Sequence, residues 1–355
     1  MKHTYFRALL LLLLLSPGAT FAQNKRANFT GRVKHFGNGS TGIYWPGTMI
    51  STRFSGTSVA AELEDATGRN VYRIIIDGQP VRDFTPAYGR KTYVIAENLK
   101  PGKHTVSLHR QTDWYNGITT FHGFRYEDGT KTYRIKTPRR RIAFYGNSIT
   151  VGAGMRERDT SSKGPSTNNY LSYSARTARH FGAEYHCNSS SGIGLMISWG
   201  NDIMPEIYDR TNPADSSSVW DFSKDKPEIV VVNLLQNDAS LFLQPKHPQY
   251  IRQFGDKAAP TPETVIVTYM GFIKNLRRHY PNARIICALG SMGAVSNGSP
   301  WPGYIREAVN RLQDPRIHAF TFDYIGGNGH PNAAEHAVMA ERLIAFINKI
   351  SDWKD

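Results

Sequence analysis

The chain has 355 residues, 40% hydrophobic and 20% charged, a balance that excludes a disordered or fibrous protein and leaves ample length for a buried core. Its 43 basic and 29 acidic side chains give a formal net charge of +14. The basic residues are dispersed, and the one dense run, Arg139-Arg140-Arg141, leads straight into an apolar strand pattern, which favours a soluble basic surface over a nucleic-acid site.

Residues 1–22 read as a secretion signal. Lys2 and Arg7 give a positive start, residues 8–15 form an apolar run too short to span a bilayer, and Thr20-Phe21-Ala22 offers a small-x-small cleavage site. No Cys stands near that point to carry a bacterial lipid anchor, and no later stretch is long and apolar enough to span. The mature chain is therefore expected to begin near Gln23, to be secreted or periplasmic, and to act as a monomer.

Residues 27–136 alternate short β-type runs, at 58–64, 71–77, 91–96 and 104–109, with turn pairs such as Asp77-Gly78, Pro101-Gly102 and Asp128-Gly129. No helical period interrupts them, so a β-sandwich of the jelly-roll kind is expected. Across 138–355 the rhythm changes. Strand patterns at 141–145, 184–187, 228–233, 284–289 and 317–320 alternate with helical ones at 170–181, 262–280, 304–312 and 332–350. That alternation predicts an α/β domain with a five-stranded parallel sheet between helices. Cys187 and Cys287 fall in two of these apolar strands and are read as buried free thiols.

Ligands in open α/β sheets sit beyond the carboxyl ends of the strands, and four segments there carry chemistry. Gly146-Asn147-Ser148-Ile149-Thr150 follows the first strand. A Ser on a tight strand-to-helix turn is exposed, and its own amide faces the site; capping a helix is the plainer use of such a Ser. Asn188-Ser189-Ser190-Ser191-Gly192-Ile193-Gly194 follows the second strand, with residues small enough to bring backbone N–H groups to a ligand. Asn233-Leu234-Leu235-Gln236-Asn237-Asp238 closes the third strand and can aim an Asn amide at an oxyanion, although Asn-Asp is also a common turn pair. Gly326-Gly327-Asn328-Gly329-His330-Pro331 precedes the final helix, and a His there can take a proton from a nucleophilic Ser.

In this order, the four segments resemble the blocks of the SGNH or GDSL hydrolases over most of 141–350. The resemblance implies a flavodoxin-like SGNH domain with Ser148 as nucleophile and His330 as general base. It makes the Ser148 amide, the Gly192 amide and the Asn237 side chain the oxyanion hole, with Gly194 as the fallback for the Gly block. Two positions depart from the pattern: Leu235 stands where Gly is usual, and Gly327 where the triad Asp is usual.

A β-sandwich before an SGNH domain without that Asp is similar to carbohydrate esterase family two, whose members deacetylate plant-wall polysaccharides, some with a Ser-His dyad. The resemblance then implies that a main-chain carbonyl, first that of Asn328, orients His330, with Asp323 as a second candidate. It implies an acetylated polysaccharide or oligosaccharide as substrate and neither cofactor nor metal. Trp199 and Trp301, both placed in loops at the active edge, are candidates for stacking on a sugar ring and equally for packing. The acidic, Ser-rich stretch around 215–218 is a candidate lid. An SGNH lipase acting on other small esters, and a carbohydrate-binding protein that has lost catalysis, are the alternatives. Zinc hydrolysis is disfavoured, since no His-Glu-x-x-His occurs.

Overall fold

The computed structural model describes residues 21–24, 27–155, 167–326 and 329–353. The expected secretion signal falls almost wholly outside them. So does Asn328, and with it the carbonyl expected to orient His330.

The N-terminal part is a pair of packed antiparallel sheets. One runs in the order 33–35, 41–43, 119–127, 59–65, 89–96, and the other 132–133, 49–55, 103–110, 72–76, 79–84. Alternation explains the packing between them. Val59, Ala61 and Leu63 point inward from one sheet, and Val106 and Leu108 meet them from the other. The opposite face of strand Lys103–Arg110 is buried too, because it lies on the second half of the chain. There His109 stacks parallel to Tyr185, with its Nε2 3.2 Å from Asn169 Oδ1.

The second half holds five parallel strands in the order Glu184–Ser189, Arg141–Gly146, Ile229–Asn233, Arg284–Ser291, Ile317–Tyr324. Val230 and Val232 face helices Pro262–His279 and Trp301–Leu312, while Ile229 and Val231 face Tyr173–His180 and Ala333–Ile350. Burial on both faces is why that strand reads as an unbroken apolar run. Cys187 and Cys287 are buried free thiols on strands separated by two others. Strand order reverses at Arg141–Gly146, whose successors lie on either side of it, and the crevice at that reversal positions the site. Among the described residues no helix is long and apolar enough to cross a membrane.

Two expectations are corrected here. Trp301 is not in a loop; it is the first residue of its helix, which starts early because Pro302 suits a first helical turn. The stretch around 215–218, expected as a lid, does not line the cavity that holds Ser148 and His330. The chain beside it is pinned to the sandwich, where Trp45 Nε1 donates to Thr211 O at 3.0 Å and Arg32, wholly buried, donates to Tyr208 O at 2.6 Å.

Candidate active site

Ser148 opens a single-turn helix, Ser148–Val151. The turn into it is tight: a Cβ on Gly146 would lie 2.2 Å from Thr150 Oγ1. Asn147 caps the turn, its Oδ1 accepting from the Ile149 amide at 3.2 Å, and Gly152 ends it in the left-handed region at φ +88°. The other side of Asn147 is also engaged. Its Nδ2 donates to Gln236 Oε1 at 2.6 Å, and Gln236 Nε2 donates to Asn233 Oδ1 at 2.5 Å and Gly290 O at 2.9 Å. Asn233 continues to Tyr173 OH at 3.1 Å, which meets Thr150 Oγ1 at 2.9 Å. A buried polar chain thus runs under the Ser148 turn and fixes it from below.

His330 Nε2 lies 2.7 Å from Ser148 Oγ. The outer face of His330 is open to solvent, yet burial on its Ser148 side pushes its pKa below the usual imidazole value. Gly154, at φ +78°, lies against the ring's stem, and a Cβ there would come 2.9 Å from His330 Cβ. Asp323 is not a partner of His330: its exposed carboxylate is paired with Arg342 at 2.5 Å.

The Gly block is gripped along its length. Asp238, fully buried, accepts from the amides of Leu195 at 3.0 Å, Met196 at 2.7 Å and Ile197 at 3.2 Å. Burial raises the Asp238 pKa, opposed by those amides. Gly194 donates to Ser198 Oγ at 2.9 Å, and a Cβ there would fall 1.9 Å from Ile197 O. Its amide is spent inside the loop, which removes Gly194 as the fallback donor. Among the described residues the Gly192 and Ser148 amides donate to no acceptor, and Gly192 adopts φ +78°.

Asn237 joins the loop to the third strand's end, its Nδ2 donating to Ile193 O at 2.7 Å. Its Oδ1 accepts from Trp199 Nε1 at 3.1 Å. That indole N–H can only donate, so it dictates which end of the amide is NH₂ and leaves one N–H for a ligand. Trp199 is 43% exposed and packs edge-on to His247, with ring centroids 5.0 Å apart. Trp301 is half-buried against Phe242 and Tyr304. Ser148, His330, Asn237, Trp199 and Trp301 all line one open cavity of 780 Å³.

Sequence reasoning missed three contributors. Asp238 was visible as half of the Asn-Asp pair but carried no assigned task. Asn147 and Gln236 adjoin assigned residues, and nothing local marks two amides 89 positions apart as hydrogen-bonded.

Residues 29–135 match the family model described as "Carbohydrate esterase 2 N-terminal". The chain is 32% identical over 323 residues to Cellulase/esterase CelE of Acetivibrio thermocellus, covering 87% of this chain. It spans 38% of that relative's length. It is 27% identical to an Acetylxylan esterase / glucomannan deacetylase of Cellvibrio japonicus, covering 86% of this chain and 84% of that one. In three dimensions it resembles a family two carbohydrate esterase from Clostridium thermocellum solved in complex with cellohexaose, with TM-score 0.81, 29% identity, and coverage of 93% and 100%. A GDSL-like lipase from Bacteroides ovatus, at 16% identity and TM-score 0.57 over 86% and 85%, shares the fold.

Proposed function

We propose that the chain, most like the carbohydrate esterases of family two, is an exported SGNH-type serine esterase removing O-acetyl groups from plant-wall polysaccharide of the xylan or glucomannan type. The observation that carries the reading is the 2.7 Å approach of His330 Nε2 to Ser148 Oγ at the wall of an open cavity. The relatives' names supply the substrate class.

In this mechanism His330 takes the Ser148 proton as Oγ attacks the acetyl carbonyl. The tetrahedral oxyanion receives the Ser148 and Gly192 amides and the remaining N–H of Asn237. Each such donor is worth about 3 kcal/mol at the transition state. The sugar oxygen leaves with the proton from His330, and water then releases acetate from Ser148 by the same steps reversed. For Nε2 to accept, Nδ1 must carry the proton, and the Asn328 carbonyl is the proposed acceptor. A carbonyl fixes the tautomer as a carboxylate does but stabilises the imidazolium less. Trp199 and Trp301, on the cavity wall, are the proposed stacking surfaces for the sugar rings.

The test is acetate release from acetylated xylan, acetylated glucomannan and 4-nitrophenyl acetate by wild type, Ser148→Ala and His330→Ala. Both substitutions are expected to cost at least about 10⁴-fold in kcat with the fold intact. A fully active Ser148→Ala variant would refute the site. A wild type inactive on all three esters would point to a protein that binds carbohydrate without cleaving it.

A further inference from the structure

Outside the Ser148–His330 pair, one buried carboxylate reaches the proposed oxyanion hole from the sandwich. Asp113 follows strand Lys103–Arg110, precedes the turn Trp114–Asn116 and is fully buried. Its Oδ1 accepts from the Trp114 amide at 2.7 Å. Its Oδ2 crosses to the other half of the chain and accepts from the Ser191 amide at 2.7 Å. Beside it, Trp114 Nε1 donates to Ser190 Oγ at 2.8 Å. Arg110, also fully buried, braces this loop from behind, donating to Asp113 O at 2.9 Å, Gly117 O at 2.7 Å and Ile43 O at 3.0 Å.

The consequence for Gly192 is geometric. Asp113 pins the peptide between Ser190 and Ser191. On the far side, Gly192 O accepts from the Trp199 amide at 2.9 Å, which pins the peptide between Gly192 and Ile193. The peptide carrying the Gly192 N–H lies between these two fixed planes. We propose that Asp113 is a positioning residue for ester hydrolysis, holding the Ser191 amide so that the Gly192 N–H is aimed at the developing oxyanion. The sandwich then takes part in the chemistry rather than only supporting it. Burial pushes the Asp113 carboxyl up to about 6, opposed by the Ser191 and Trp114 amides and by the Arg110 guanidinium.

This inference rests on the serine-esterase reading, and one set of assays separates the two. Using the full chain and 4-nitrophenyl acetate, kcat, KM and thermal unfolding are compared for wild type, Asp113→Asn and Asp113→Ala. Asn can accept only one of the two amide hydrogens, and Ala neither. A donor misplaced by about 1 Å can cost about 10²-fold, so Asp113→Ala is expected to lose about 10- to 100-fold in kcat with KM within about twofold. Asp113→Asn should fall between it and wild type. Phenylboronic acid, which forms a tetrahedral adduct on a catalytic Ser, should lose affinity in the same order. A merely structural role would lower the unfolding temperature without that ordered kcat loss at constant KM. Should Asp113→Ala fail to fold, the isosteric Asn variant decides: unchanged kcat and inhibitor affinity overturn the inference. Loss confined to KM overturns it too. A wild type that hydrolyses no ester overturns the esterase reading and this inference with it.

Discussion

His330 can act as a base only in its neutral form, and the direction of its pKa shift decides where that form prevails. Burial disfavours the imidazolium, so the pKa falls below the ordinary imidazole value of about 6.5. Activity should therefore rise with pH along a limb centred below about 6.5. A kcat/KM profile on 4-nitrophenyl acetate, with its acid limb at or above that value, would reject His330 as the group that titrates. At this scale the sequence offers candidates where chemistry and chain order coincide, as at Ser148, Asn237 and His330, and the fold brings these three to one cavity. It ranked Gly192 ahead of Gly194 only through the resemblance, with no physical ground for the choice. That choice depends on Ser198 Oγ occupying one amide and on the carboxylate of Asp238 filling the space beside that glycine. Nor could it reveal Asp113, whose partner lies 78 residues away across the join between the halves.

The turn after strand Ile229–Asn233 sets two opposing demands on one residue. Leu235 sits at φ +84°, in the left-handed region, and its side chain is fully buried in the sheet's core. The backbone there costs a branched residue roughly 1–2 kcal/mol, whereas truncating a buried Leu costs about 2–5 kcal/mol. Leu235→Gly is accordingly expected to destabilise the protein by about 1–3 kcal/mol in denaturant unfolding, despite relieving the strain. A variant more stable than its parent would show that strain outweighs burial. The usual Gly of this block has thus been replaced by core packing, with the turn itself kept. The same balance explains which elements were readable. Long two-sided strands and amphipathic helices such as Pro262–His279 carry their period in the chain. Gln236–Leu241 and Pro248–Phe254 are short and owe their shape to tertiary contacts. Strand Thr119–Glu127 was hidden because Gly123 interrupts it at a register shift.

At the scale of the molecule, the sandwich and the parallel sheet are locked by side chains that cross between them. Arg32 enters the second half fully buried, donating to Tyr208 O, to Arg210 O at 3.1 Å and to Tyr145 OH at 2.7 Å, with Trp220 and Phe222 against its guanidinium. Gly47 allows the approach, since a Cβ there would lie 2.4 Å from Tyr185 Cε1. A hydrogen bond from a charged donor contributes about 1.5–3 kcal/mol, so Arg32→Ala is expected to cost roughly 3 kcal/mol once lost desolvation is offset. Calorimetry should show a lowered transition that separates into two, the halves melting apart. An unshifted single transition would mean that Arg32 does not couple them. The fold class of each half was readable from rhythm alone, but this lock was not, because a lone Arg in a β-rich stretch looks like any surface cation.

The charge chemistry proposed at the site is carried by neutral dipoles, two backbone amides and one side-chain amide, and only the Ser148 amide opens a helix, one four residues long. A helix that short supplies little field of its own. Among the described residues no ion pair joins Ser148 or His330 to the strongly basic exterior. Surface charge can therefore change by substitution without retuning the reacting centre proposed here.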